Sequence, residues 1–304
     1  MGSGAEAGSG DLYGNGSPAF RAEAGTLYVV ATPLGNLRDV TLRALDILGS
    51  ADVVAAEDTR TSARLLSHYR IVTRTLALHQ HNEVQRAATI VALLASGKSV
   101  ALVTDAGTPA VSDPGSRLVR AVREAGHPVV PVPGPSAVVT AISAAGLAAA
   151  TFVFAGFLPQ QAKARRELVA TLAPLRAALV LYEAPHRVRA TVDDLAAQLD
   201  GTRTLVVARE LTKTFETIAA MPLADAKAWF AADANRERGE FVLVVDEAPA
   251  HEAVVVLAPE HERWLVALLE ELPPARAARV VAAVTGVPRD AVYARALALK
   301  PALG

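Results

Sequence analysis

The sequence predicts an α/β protein, two α/β domains followed by a small helical segment. Three observations carry this. From residue 26 onward, short runs of β-branched residues alternate with longer amphipathic stretches, the pattern of strands joined by crossover helices in a parallel sheet. The length of 304 residues suits about two domains. With 52% hydrophobic and 20% charged residues, the chain can fill two buried cores.

In chain order, "TLYVVAT" (26–32) reads as the first strand. "LRDVTLRALDILGSA" (37–51) sets Val40, Leu42, Leu45, Ile47 and Leu48 near one helical face, with Gly49 closing it. "DVVAAED" is a strand, "TSARLLSHYR" a helix and "TLALH" a short strand. "NEVQRAATIVALLASG" is a helix capped by Asn82 and closed by Gly97. "SVALVTD" is a central strand and "SRLVRAVREAG" a helix. "PVVPVP" is a strand whose prolines confine it to an edge or end, and "PSAVVTAISAAGL" is a helix with Pro135 near its first turn. The first domain spans 26–148.

The second domain, 149–248, opens with "TFVFAGFLP" (151–159). Its remaining strands are expected in "AALVLYEAP", "TRTLVVARELT", "ETIAAMP" and "GEFVLVVDE". The hairpin-like spacing of "LVVARELTKTFETIAAM" makes the sheet mixed. Residues 248–258 form a linker, and 259–304 hold three helical segments, the last two resembling a helix-turn-helix with Gly286 at the turn.

Composition narrows the function. No cysteine is present, which removes disulfides, thiolate zinc sites and a cysteine nucleophile. The net charge of −1 argues against a globally basic, nonspecific nucleic-acid binder and leaves room for a local basic face. No apolar run reaches the roughly 20 residues of a membrane span. The first 25 residues lack the basic start and apolar block of a signal peptide and read as a flexible tail, so a cytoplasmic setting is expected.

In parallel sheets ligands sit beyond the carboxyl ends of strands, which ranks three loops: "TPLGNLRD" (32–39), "DAGTPAVSDPG" (105–115) and "PGPSA" (133–137). In the second, Asp105 ends a buried strand and two glycines and two prolines then fix the path. A carboxylate and carbonyls without a lysine suit a cationic or hydroxyl-rich ligand better than a phosphate, and GxxxxGK[ST] is absent. Ser112 or Asp113 is expected to cap the following helix. In the third loop Gly134 permits close backbone approach and Ser136 can bond a ligand.

The segments "VATPLGNLRDVTLRAL", "AAEDTRTSARLL", "LVTDAGTPAVSDPGSRLV", "VPGPSAVVTAISAAGL", "FAGFLP", "LYEAPHRV" and "ARELTKTFET", in this order, resemble the ribosomal small-subunit methyltransferase I family of tetrapyrrole-methylase-like, class III S-adenosylmethionine enzymes. The resemblance covers about residues 26–300. It implies a cofactor cleft between the two α/β domains, S-adenosylmethionine as methyl donor, the ribose 2′-hydroxyl of a cytidine in the decoding region of 16S rRNA as acceptor, and a homodimer. By the family pattern Leu34, Asp105, Gly107, Thr108, Ser136 and Ala137 line the cofactor pocket.

A ribose hydroxyl is a poor acid, so a base at the cleft is useful. Glu183 in "LYEAPHRV" is the leading candidate, with an alternative role in anchoring the cofactor or orienting Arg187. Asp58 and Arg60, beside Glu57 in "AAEDTRT", are further catalytic candidates, with helix capping as the competing role. Glu210 and Lys213 rank below them. His79 and His81 lack metal-ligand spacing and no metal is expected. For RNA, Lys163, Arg165, Arg166, Arg176, Arg187 and Arg189 could form a phosphate-contacting face, joined by Arg276, Arg279, Arg289 and Arg295 on the terminal helices. Two other readings compete: a class III methylase of a tetrapyrrole or other small metabolite, and a DNA-binding regulator using residues 274–299. The second helix of that segment has few base-reading side chains.

Overall fold

The computed structural model describes residues 20–80, 82–247 and 257–299. His81, most of the expected tail and most of the expected linker lie outside the described residues. The chain divides into two compact units, residues 1–247 and 248–304.

The first half of the larger unit carries a five-stranded sheet in the order β3-β2-β4-β1-β5. Its strands are β1 (Leu27–Val30), β2 (Val53–Ala56), β3 (Thr75–Ala77), β4 (Val100–Val103) and β5 (Val129–Val132). All pair in parallel, so their carboxyl ends lie along one edge. The inner strands β2 and β4 are buried throughout, as continuous Val/Ala/Leu runs require when helices cover both faces. β5 pairs only with β1, so Pro131 removes no ladder bond from a second neighbour.

The helices are α1 (Leu42–Ser50), α2 (Thr59–His68), α3 (Glu83–Ala95), α4 (Ser116–Glu124) and α5 (Ala137–Ala145). One face of the sheet packs Val30, Val54 and Val103 with Ile47, Leu48 and Leu65, the other Leu27, Val100 and Leu102 with Ile90, Leu94 and Leu118. The single helix expected over 37–51 is two elements. A 3-10 turn at Leu37–Asp39 is capped by Asn36, and an extended Thr41 (ψ 150) starts α1 by accepting from Ala44 N. Asn82 does not cap α3 through its side chain; Oδ1 accepts from His79 N at 2.9 Å.

The second half holds a mixed sheet, β6-β7-β10-β8-β9, from β6 (Phe152–Phe157), β7 (Ala178–Glu183), β8 (Thr204–Arg209), β9 (Thr217–Pro222) and β10 (Phe241–Val245). β6 and β7 are parallel, the other pairs antiparallel. One face is covered by α6 (Ala162–Leu172), α7 (Val188–Gln198) and α8 (Ala226–Ala231) around Leu181, Val192, Leu195 and Phe230. The other receives α5 from the first half: Val138 and Ala141 pack with Val180, Val206, Ala208 and Val244. This shared core makes the two sheets one unit. Asp246, buried at the end of β10, accepts from Ala148 N and Ala149 N at 2.8 and 3.1 Å and so fixes the segment that crosses between the halves.

The smaller unit contains α9 (Pro259–Glu271), α10 (Pro274–Thr285) and α11 (Arg289–Leu299) around Leu265, Ala278, Val281, Val292 and Ala296. Gly286 ends α10 in the left-handed region at φ 73, where a glycine turns the chain without a Cβ clash.

Candidate active site

The loops after β1, β4 and β5 meet at the carboxyl edge of the first sheet and are tied to one another. Thr32 and Gly107 exchange backbone bonds (Thr32 N to Gly107 O 2.8 Å, Gly107 N to Thr32 O 2.9 Å). The Thr108 hydroxyl donates to Pro135 O at 3.0 Å. Gly134 lies so near the first strand that an added Cβ would stand 3.0 Å from the Ala31 Cβ.

These loops and the second sheet enclose a cavity of about 330 Å³. Leu34, Ala106, Gly107, Thr108, Ser136 and Ala137 form one wall, and Phe157, Tyr182, Leu211 and Val242 the other. Its lining is mostly apolar and includes the acidic residues Asp113, Glu183 and Glu240, with no lysine or arginine. Gly107 has φ 79, and a Cβ there would meet Leu34 Cδ2 at 3.3 Å, so backbone itself forms the surface. Ser136 precedes α5 in extended conformation and makes no side-chain cap bond.

Five of the six residues expected to line a cofactor pocket do line this cavity. Asp105 does not. It is exposed, and its Oδ1 accepts from Asp58 N at 3.2 Å, which directs the carboxylate toward the β2 loop. Asp58 is the N-cap of α2: its Oδ1 accepts from Arg60 N at 2.8 Å and its Oδ2 from the Arg60 guanidinium at 2.7 Å. That bond to Arg60 holds the Asp58 carboxyl down at about 2. Neither Asp58 nor Arg60 borders the cavity, and a carboxylate so acidic is a poor base, so capping is the role the geometry gives this pair.

Glu183 does border the cavity, but its side chain is fully buried and its oxygens are committed. Oε1 accepts from Ala184 N at 2.8 Å and faces Arg187 Nε at 3.2 Å, and Oε2 accepts from the Thr191 hydroxyl at 2.5 Å. Arg187 in turn donates to Leu158 O. The group knits the β7–α7 turn to the end of β6, the arrangement of an anchor rather than of a base. Lys213 bridges Glu210 and Glu240 at 2.9 and 2.8 Å at the cavity rim.

The basic face expected for RNA is partly consumed by the fold. Arg165 is buried and donates to Asp194 at 2.6 Å, binding α6 to α7. Arg166 shares the same carboxylate at 3.4 Å, and Arg189 pairs with Glu237 at 3.1 Å. Arg295 is engaged by Glu262, whereas Arg276, Arg279 and Arg289 are exposed. His79 lies beside Asn82, and among the described residues no group of three His, Asp or Glu is placed to hold a metal ion.

Several lining residues were not among the sequence candidates, Asp113 and Tyr182 the most consequential of them. Asp113 lines the cavity instead of capping α4; the cap position is Gly115 at φ 131, without a side-chain cap. Capping is supplied from afar by buried Glu83, whose Oε1 accepts from Gly115 N, Arg117 N and Leu118 N at 3.0, 2.9 and 3.1 Å. Tyr182 faces the cavity from β7, its hydroxyl pushed up to about 12 by burial and by the charge of Asp113. Only the "SDPG" punctuation hinted at the first, and nothing local at the second.

A parallel and a mixed sheet joined around such a cavity define a methylase of the tetrapyrrole type. The model of the Tetrapyrrole (Corrin/Porphyrin) Methylases matches residues 26–227, and that of the RsmI C-terminal HTH domain matches residues 255–300. The chain belongs to the ribosomal RNA small subunit methyltransferase I family. It is similar to proteins of that name from Vibrio cholerae (49% identity, 88% of this chain and 92% of that one) and Escherichia coli O157:H7 (47%, 90% and 95%). Among solved structures, uroporphyrin-III-C-methyltransferase from Thermus thermophilus shares the fold at TM-score 0.54 and 24% identity, over 73% of this chain and 94% of that one. The methyltransferase CobJ does so at TM-score 0.56 and 19% identity, over 74% and 95%.

Proposed function

We propose that the chain transfers a methyl group from S-adenosylmethionine to the ribose 2′-hydroxyl of a cytidine in the decoding region of 16S rRNA within the small ribosomal subunit. The observation that carries this reading is the cavity's donor set. Acidic residues, Ser136 and Gly107 border an apolar space with no lysine or arginine, which fits a cationic, phosphate-free ligand and disfavours a nucleoside triphosphate. Bound there, S-adenosylmethionine supplies an electrophilic methyl group on a sulfonium.

Leu34, Gly107, Thr108, Ser136 and Ala137 would hold the donor. Gly107 lets the backbone approach it, the Thr108 hydroxyl locks two loops in place, and the start of α5 offers helix-terminal polarity to its charged end. Phe157, Leu211 and Val242 give the opposite wall an apolar surface. Holding an acceptor hydroxyl in line with the transferred carbon can by itself supply several kcal/mol of a methyl-transfer barrier, about 7 or more where orientation is good. The relatives' names favour an RNA acceptor over a tetrapyrrole. A homodimeric assembly, implied by the family resemblance, and a cytoplasmic setting, expected from the composition, belong to the same proposal.

The test is ribose-methylation mapping of small-subunit RNA from a strain lacking this chain, with rescue by the wild type and by Gly107→Val, which fills the cavity floor. One cytidine 2′-O-methyl mark should vanish, return with the wild type and stay absent with the variant. An unchanged map contradicts the assigned substrate.

A further inference from the structure

We infer that Asp113 is the general base of the methyl transfer, an assignment that rests on the reaction proposed above. Three carboxylates border the cavity. Glu183 is enclosed by Thr191, Ala184 and Arg187, and Glu240 is engaged by Lys213. The Asp113 carboxylate accepts no hydrogen bond from any described residue, so its lone pairs are available to an incoming hydroxyl.

The loop that presents it is built against local preference. Ala110 and Ser112 are non-glycine residues at φ 68 and 65, flanked by Gly107 at 79 and Gly115 at 131. Such backbone persists only where its surroundings enforce it. Here Glu83 grips the loop's end through three N–H groups, and Ala110 N bonds Pro114 O at 3.3 Å. The Ser112 hydroxyl sits where a Cβ on Gly156 would be 2.8 Å away, so that glycine makes room for the loop. This strained conformation places Asp113 on the cavity wall.

The charged and titratable groups coupled to Asp113 are Glu57 at the end of β2, Asp105 at the end of β4 and Tyr182 on β7. Burial, reinforced by the Glu57 and Asp105 charges, pushes the Asp113 carboxyl up to about 7, where it is basic enough to take a proton and still largely ionised just above neutrality. In the step, the ribose oxygen forms a bond to the methyl carbon while the carbon–sulfur bond breaks and its electron pair stays on sulfur as a neutral thioether. The hydroxyl proton passes to Asp113 and then to solvent.

Single-turnover methyl transfer to small ribosomal subunits, followed from pH 5.5 to 9, tests this. The wild-type rate should rise through an inflection near 7, and Asp113→Asn should be slowed about 100-fold or more with a flat profile. Calorimetry should show S-adenosylhomocysteine bound by that variant within about threefold of wild type, which separates chemistry from binding. Carboxyl carbon NMR of the free protein should show one aspartate titrating near 7, absent from the variant. Glu57→Gln, which retains Asp113, should move both the inflection and that resonance to lower pH. An active wild type whose Asp113→Asn keeps rate and profile, or an Asp113 resonance that titrates in the ordinary carboxylate range, overturns the assignment alone. A wild type inactive on the subunit overturns the substrate reading and this one with it.

Discussion

Lys213 crosses Gly35 so closely that a Cβ on the glycine would lie 2.3 Å from the lysine Cγ. The first loop of the parallel sheet and the β8–β9 connection of the mixed sheet therefore meet at a point where only glycine fits. The lysine cannot simply swing away, because its Nζ is held by Glu210 and Glu240, and Glu210 and Thr212 already lie at φ 52 and 67.

Gly35→Ala should displace Lys213 and loosen the cavity rim. S-adenosylhomocysteine affinity is expected to fall about tenfold by calorimetry, roughly 1.4 kcal/mol, with a much smaller change in thermal stability. Lys213→Ala in the Gly35→Ala background should recover no more than part of that loss, since the two carboxylates then face each other unpaired.

Glu83→Ala removes one acceptor from three backbone donors at the start of α4. The expected destabilisation is about 2 kcal/mol, read by denaturant unfolding. Amide exchange should accelerate first in residues 107–118, the loop that carbonyl-to-amide ties alone cannot hold.

Asp113→Asn should make the protein more stable at pH 8. A carboxyl raised from 3.8 to about 7 in the folded state keeps its proton where the unfolded chain has released it, so stability falls as pH rises through that window. The amide cannot ionise and escapes this loss. A melting temperature higher than wild type by roughly 2–4 °C at pH 8, converging below pH 4, is the expected pattern, and equal curves at both pH values would count against a raised carboxyl.

Arg165→Ala leaves Asp194, between α6 and α7, with only the longer Arg166 contact at 3.4 Å, with an expected cost of about 2 kcal/mol. Affinity for the small subunit, measured on folded protein, should be unchanged, whereas a phosphate-contacting arginine would lower it and its salt dependence together.

Much of this was legible in the sequence, for reasons that residues make plain. Strand runs such as "VALV" and the edge proline of "VVPV" set the sheet, and the strand-end rule ranked the three loops that border the cavity, while the family resemblance supplied Leu34, Gly107, Thr108, Ser136 and Ala137 within them. The same rule picked Asp105 over Asp113. The chain after β4 doubles back through Ala110 and Ser112 at positive φ, and alanine and serine carry no signature for that conformation. Glu83, distant in sequence, took the capping role that "SDPG" advertised. Arg165 and Asp194, likewise on separate helices, hid a buried pair inside what read as a basic surface, and the oxygens of Glu183 were already spoken for by Thr191 and Arg187.

The most direct measurement is a crystal structure with S-adenosylhomocysteine bound. The ligand should lie inside the cavity, against Gly107 and Thr108 on one side and Ser136 and Ala137 on the other, with its sulfur facing the space bordered by Asp113. Density for the ligand at another surface, or a cavity closed by Leu34 and Tyr182 while the ligand binds elsewhere, would contradict it.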